Sequence, residues 1–246
     1  MNPALASSNQ LPRHIAVIMD GNGRWATERG WPRARGHEAG ADSVREIVRA
    51  CGELGIDALT LYSFSTENWA RPDDEVQALM ALLASYLQNE RSELVENRVQ
   101  LRGIGEIDRL PDHVRRLLRE AERSTEGNDG LKLTLALSYG SRREIVDAVR
   151  GIASEVQQGT LDSGQIDEAT VTNRLYTAGI PDPDLLVRTS GEMRLSNFML
   201  WQLAYTELYV TDVYWPDFRR PHLEQALAIY AKRRRRFGRT DDQVTP

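Results

Sequence analysis

In this chain of 246 residues, the greatest density of chemically useful side chains is Asp20-Gly21-Asn22-Gly23-Arg24-Trp25. The carboxylate is followed by two glycines, which free the backbone to take positive φ and to approach a ligand closely. Asn22 can bond locally, and a helix starting here would aim N–H groups into the turn. Such a helix start is an anion site, beside which Arg24 sets a fixed cation. A carboxylate repels phosphate, so Asp20 makes most sense holding a metal that the phosphate shares. A plain strand-to-helix turn uses the same residue types.

Three more groups carry chemistry. Arg24, Arg29, Arg33 and Arg35, with His37 next, follow directly on the turn; guanidinium forks match phosphate oxygens, whereas a charge cluster elsewhere is usually only solvated. Ser65-Thr66-Glu67-Asn68-Trp69-Ala70-Arg71-Pro72 is a polar loop with an exposed-looking Trp. Arg188-Thr189-Ser190-Gly191-Glu192-Met193-Arg194-Leu195-Ser196-Asn197 sets two arginines six apart, with Ser, Thr and Gly between them. That spacing lets one loop wrap a diphosphate with both guanidiniums and several hydroxyl and N–H donors.

Strands are expected to present these groups. His14 to Met19 is almost wholly apolar, as a parallel strand covered on both faces would be. The pattern predicts further strands at Ala58–Phe64, Val99–Ile104, Leu131–Leu137, Asp184–Val187 and Glu207–Val210. Helices are expected at Glu38–Gly55, Glu75 to about Glu96, Pro111–Ser124, Arg142–Gln157, Glu168–Tyr176, Phe198–Tyr205 and Pro221–Arg236. Strands alternating with helices, without repeats or a low-complexity linker, predict one α/β domain with a mostly parallel six-stranded sheet flanked by helices. The loops after the first, second and fifth strands should share one rim, where α/β sheets bind ligands.

Composition narrows the function. Thirty-one Lys and Arg against 36 Asp and Glu give a net charge of −5. That argues against a nucleic-acid binder and leaves anions to locally placed arginines. The single cysteine, Cys51, excludes an internal disulfide and fits a reducing compartment, so a cytoplasmic protein is expected. The polar Met1–Gln10 lacks the charged and apolar regions of a signal peptide.

Together, the Met19–Trp25 turn, the Glu67–Pro72 loop and the Arg188–Phe198 loop resemble the cis-prenyltransferases of the undecaprenyl diphosphate synthase type. So do Leu200-Trp201-Gln202, Glu207-Leu208-Tyr209, Trp215-Pro216-Asp217-Phe218 and Arg235-Arg236-Phe237-Gly238. The resemblance runs from about residue 12 to 238, in family order and spacing, and leaves residues 1–11 and 239–246 as flexible tails.

The resemblance implies condensation of isopentenyl diphosphate onto an allylic diphosphate such as farnesyl diphosphate, each new double bond cis, with Mg²⁺ as cofactor and a homodimer as the working form. By position, Asp20 is the metal-linked carboxylate beside the allylic diphosphate. Gly21, Asn22, Gly23, Arg24, Arg33 and His37 surround that diphosphate, with Trp25 alongside. Asn68 takes part in proton removal, with Ser65, Thr66, Glu67, Trp69 and Arg71 around it, although the departing diphosphate could also take the proton. Arg188, Arg194, Leu195 and Ser196 meet isopentenyl diphosphate, and Glu207 is a second metal-linked carboxylate. Arg236-Phe237-Gly238 resembles an ending that reaches the neighbouring subunit's site, and Ser190 departs from the Thr-Gly-Gly of many relatives.

A growing isoprenoid needs an apolar tunnel. Ser63 and the small Ala78, Ala81 and Ala84 would leave its upper part open, with Leu131 and its strand neighbours as the floor. That predicts a medium-to-long product serving as a lipid carrier, with peripheral membrane contact for its release. The alternatives are a short-chain cis-prenyl diphosphate synthase and a non-catalytic partner subunit, though the latter should lack Asp20 and several of the arginines. A trans-prenyltransferase would carry Asp-Asp-x-x-Asp, which Asp73-Asp74-Glu75-Val76-Gln77 fails to complete, and no P-loop run is present.

Overall fold

A computed structural model describes residues 11–233. Six strands form one sheet: β1 (His14–Ile18), β2 (Ala58–Ser65), β3 (Gln100–Ile104), β4 (Lys132–Tyr139), β5 (Leu185–Arg188) and β6 (Glu207–Val210). Their order is β3-β4-β2-β1-β5-β6 and every pairing is parallel. All five residues of β1 are buried, as a central strand covered on both faces requires. Alternation then divides its side chains between two cores. Ile15 and Val17 join the large core that also holds Leu59, Leu61, Leu133, Leu135 and Leu137. Ala16 and Ile18 face a smaller one built on Ala136, Tyr139 and Phe198.

The helices are α1 (Asn22–Glu28), α2 (Arg33–Glu53), α3 (Asp73–Asn89), α4 (Arg91–Glu96), α5 (Asp112–Thr125), α6 (Ser141–Gln157), α7 (Glu168–Thr172) and α8 (Arg220–Ala231). From β1 the chain continues to β2 on one side, while β5 continues to β6 on the other. The strand order therefore reverses between β1 and β5, and the crevice beyond their C-terminal ends is where such sheets take ligands.

Three expectations need correction. The run Glu75–Glu96 is two helices, because α3 ends at the buried Glu90, whose carboxylate accepts from Arg45 Nε at 2.6 Å. Phe198–Tyr205 forms turns, not a helix. Ser196, Asn197 and Met199 there take positive φ, folding Phe198 and Met199 into the smaller core. Glu168–Tyr176 shortens to α7. Leu11, the end of the expected tail, packs half-buried against the large core. The Arg236-Phe237-Gly238 ending lies outside the described residues. Among those residues no helix is long and apolar enough to cross a membrane.

Candidate active site

Asp20 leaves the end of β1 and Arg188 ends β5, so the reversal of strand order sets them face to face. Arg188 Nη2 donates to Asp20 Oδ2 at 2.9 Å and Nη1 to Ser196 Oγ at 2.9 Å, while Nη1 also donates to the Arg194 carbonyl. The guanidinium is only 4% exposed. On the other carboxylate oxygen, the Gly21 N–H donates at 2.8 Å and Arg24 Nη2 lies 3.3 Å away. Burial pushes the Asp20 carboxyl up, but the hydrogen bond and charge of Arg188, then Gly21 and Arg24, hold it below its usual value. Asp20 is thus ionised at neutral pH. Glu192 extends the network by accepting from Arg24 at 3.0 Å and from Arg194.

Backbone clamps fix this carboxylate. Thr189 Oγ1 accepts from the Asp20 N–H at 2.9 Å and donates to the Asp20 carbonyl at 2.7 Å, and the Trp215 N–H reaches that carbonyl at 3.0 Å. Gly21 sits at φ 101°, where a Cβ would come within 2.6 Å of Tyr214 and 2.9 Å of Ser190. At Gly23 a Cβ would lie 2.6 Å from the Arg33 guanidinium, so this glycine is what lets Arg33 close on the turn.

A second cationic group faces the same opening. Glu75, in the first turn of α3, gathers Arg71 at 2.7 Å, Arg33 at 3.4 Å and His37 at 3.9 Å. Burial, reinforced by the Arg71 charge, pushes His37 down to about 4, so this ring is neutral at pH 7. Both groups rim a cavity of about 320 Å³ between α2, α3 and the sheet. Its mouth holds Asp20, Gly21, Asn22, Gly23, Arg24, Arg33, His37, Asn68 and Arg71, and its depth Val44, Phe64, Leu79, Leu83, Leu135 and Leu137. Among the described residues five buried side-chain polar atoms lack a partner: Asn22 Oδ1 and His37 Nε2 belong to residues lining this cavity, and Arg188 Nε to the guanidinium that holds Asp20. Buried polar atoms are normally paired, so this concentration marks a place where a ligand completes the bonding.

Other expected site residues support the rim or leave it. Asn68 Oδ1 accepts from the Ser65 N–H at 3.1 Å, within a reciprocal cap on the short helix Thr66–Ala70. Thr66 lies against Gly140. Leu195 packs half-buried on the smaller core. Trp25 makes an edge contact with Trp31 beneath the Arg29 guanidinium. Trp69 is half-buried rather than exposed and donates to Ser138 Oγ at 2.9 Å. Ser63 does line the cavity, but on α3 the lining falls to Leu79, Met80, Leu82, Leu83 and Tyr86, not to Ala78, Ala81 or Ala84.

Glu207 is displaced. Register sets it level with Leu185 and hence Ile15, five residues before Asp20 and so roughly 15 Å down the strand, at the opposite rim. There its carboxylate accepts from Arg233 at 2.8 Å. Within one chain, Asp20 and Glu207 are not a metal-binding pair, and among the described residues no three His, Cys, Asp or Glu side chains gather as a metal cluster. A lone ionised carboxylate still suits a hard divalent cation that takes its remaining ligands from phosphate and water.

Two working residues escaped the sequence reading. Glu75 anchors the Arg33 and Arg71 guanidiniums beside the neutral His37 ring, though its position reads simply as an acidic first turn. Asn197 joins two rim loops: Nδ2 donates to Glu67 Oε1 at 3.0 Å, while its Oδ1 and carbonyl accept from the Arg142 and Ser141 N–H groups at the start of α6.

A family model described as "Putative undecaprenyl diphosphate synthase" matches residues 18–238. The chain belongs to that family. This family member is similar to the isoprenyl transferase of Geobacillus kaustophilus, with 54% identity over 93% of the chain and 89% of the relative. For the isoprenyl transferase of Porphyromonas gingivalis the identity is 50% over 98% and 94%. Among solved structures, lavandulyl diphosphate synthase from Lavandula x intermedia, in complex with dimethylallyl diphosphate, superposes with a TM-score of 0.92 at 40% identity, covering 94% of this chain and 99% of that one. A probable undecaprenyl diphosphate synthase from Campylobacter jejuni gives 0.76 at 34% identity, covering 93% and 99%. The protein is a prenyltransferase.

Proposed function

We propose that this isoprenyl transferase condenses isopentenyl diphosphate with an allylic diphosphate such as farnesyl diphosphate and makes each new double bond cis. The observation that carries this reading is the joining of two cationic groups, around Asp20 and around Glu75, over a cavity whose depth is apolar. Diphosphates belong at the mouth, and the prenyl chain belongs in the depth.

The reaction breaks the allylic carbon–oxygen bond, releases inorganic diphosphate, joins the allylic carbon to the terminal alkene carbon of isopentenyl diphosphate and expels one proton. Negative charge develops on the leaving group, and guanidiniums preset at that point stabilise it. Arg24, Arg33, Arg71 and the neutral His37 ring bind the allylic diphosphate. Arg188, Arg194 and Ser196 hold the second diphosphate, aligning the weak alkene nucleophile. Asn68, at the mouth, orients the departing proton toward the released diphosphate. Asp20 would hold Mg²⁺ together with diphosphate oxygens, and the ion would neutralise charge on the leaving group.

A homodimer suits the edge strand β6, whose Leu208 is 50% exposed among the described residues. The test is turnover. Labelled isopentenyl diphosphate with farnesyl diphosphate and Mg²⁺ should give labelled, longer diphosphates, and a chelator should stop it. Label that stays in isopentenyl diphosphate under all primers would refute the reading.

A further inference from the structure

Two cavities lie end to end in this fold, and one side chain lines both. The first, of about 320 Å³, begins at the diphosphate-binding mouth. A second, of about 380 Å³, lies between the far ends of α2 and α3 and the strands beside them. Three elements follow the same progression. Along α2 the lining passes from His37, Ala41 and Val44 in the first cavity to Val48 and Gly52 in the second. Along α3 and just past its end it passes from Leu79 and Leu83 to Glu90. Along β4 and the residue before it, the lining runs from Leu137 and Leu135 back to Leu131. Tyr86, in the last turns of α3 and 8% exposed, lines both. Leu131, expected as the tunnel floor, therefore lies beyond Tyr86 and borders only the second cavity.

We propose that Tyr86 is the partition that ends chain growth, so that the product is limited to what the first cavity holds. This inference rests on the condensation proposed above and names its product-length determinant. Each added unit carries five carbons, and apolar surface favours continued growth as long as such surface remains. In the first cavity the growing end meets Leu79, Leu83, Leu135 and Leu137, and then the ring of Tyr86. Past it, the walls change. Val48, Leu94 and Leu131 alternate with the ion pairs Arg45–Glu90, Arg49–Glu93 and Arg98–Asp129. Removing the ring joins this volume to the first while offering the chain less apolar wall per unit, so growth lengthens and then stops again.

The test sizes the products of the full chain with labelled isopentenyl diphosphate and farnesyl diphosphate. Tyr86→Ala should shift the dominant product upward by roughly two or more isoprene units, and the milder Tyr86→Leu by fewer. Tyr86→Phe keeps the ring and should keep the wild-type ladder. Gly52→Phe, where a Cβ meets nothing within 4 Å, should leave the wild-type ladder alone but shorten the products made by Tyr86→Ala. A wild-type ladder from both Tyr86→Ala and Tyr86→Leu overturns the proposal, as does equal lengthening by Tyr86→Phe. A wild-type protein that joins no units overturns the proposed function, and this inference with it; a working wild type with unmoved ladders overturns the inference alone.

Discussion

Replacing Asp20 by Ala separates catalytic from structural work, and the two magnitudes can be set against each other. The substitution strips a 4%-exposed Arg188 of a carboxylate at 2.9 Å, yet leaves it Ser196 Oγ at 2.9 Å and the Arg194 carbonyl. Losing one charged hydrogen bond of this kind costs about 1–3 kcal/mol. A domain of this size holds about 5–15 kcal/mol in total, so the variant folds and melts roughly 2–10 °C lower. Activity should fall further, by about 10²–10³-fold, the scale of losing one preset charge at a developing anion. Thermal melts followed by circular dichroism and initial rates at saturating Mg²⁺ give both numbers. The acid side adds a check on sign. Asp20 titrates below its ordinary value of 3.8 when folded, so its stabilisation is present above that pH and lost as pH falls through the folded value. The stability gap between wild type and variant should therefore close only below about pH 4. A folded variant within a few-fold of wild-type activity would refute the catalytic role, and an unfolded one the structural estimate.

The remaining expectations concern neighbouring groups. Arg194→Ala should raise KM for isopentenyl diphosphate more than for the allylic primer, and Arg33→Ala the reverse; equal effects in steady-state kinetics would mean one undivided anion site. Asn197→Ala and Glu67→Gln should be non-additive in kcat by about 1–2 kcal/mol, because their side chains meet at 3.0 Å; an additive double-mutant cycle would remove the tie between the loops. Burial pushes both His14 and His37 from 6.5 to about 4, so the unfolded chain binds more protons between those values and stability falls as pH drops from 6.5 to 4. Urea midpoints of His14→Gln should fall less over that window than those of the wild type, and parallel slopes would contradict the buried neutral ring.

The sheet was legible because its strands are short apolar runs bounded by turn signals, and β1 in particular has no polar face to confuse the pattern. The rim was legible because chemistry-bearing residues cluster at strand ends, which parallel topology brings to one side. Phe198–Tyr205 misled for a physical reason: Phe198 and Met199 are buried on an irregular backbone, and a short buried run carries the same apolar signal whatever its φ. Glu207 misled because its place depends on register, and β6 meets β5 with Glu207 opposite Leu185. Glu75 draws in Arg33 and His37 from α2, and Asn197 meets Glu67 and Arg142, partners dozens of residues away that no local spacing announces.

The most direct measurement of the central claim is the geometry of the double bond the protein makes. Extending farnesyl diphosphate with ¹³C-methyl isopentenyl diphosphate and reading the methyl resonances of the product by NMR distinguishes cis from trans units. The account predicts that every added unit is cis. New units that are trans, or a primer that is never extended, would contradict it.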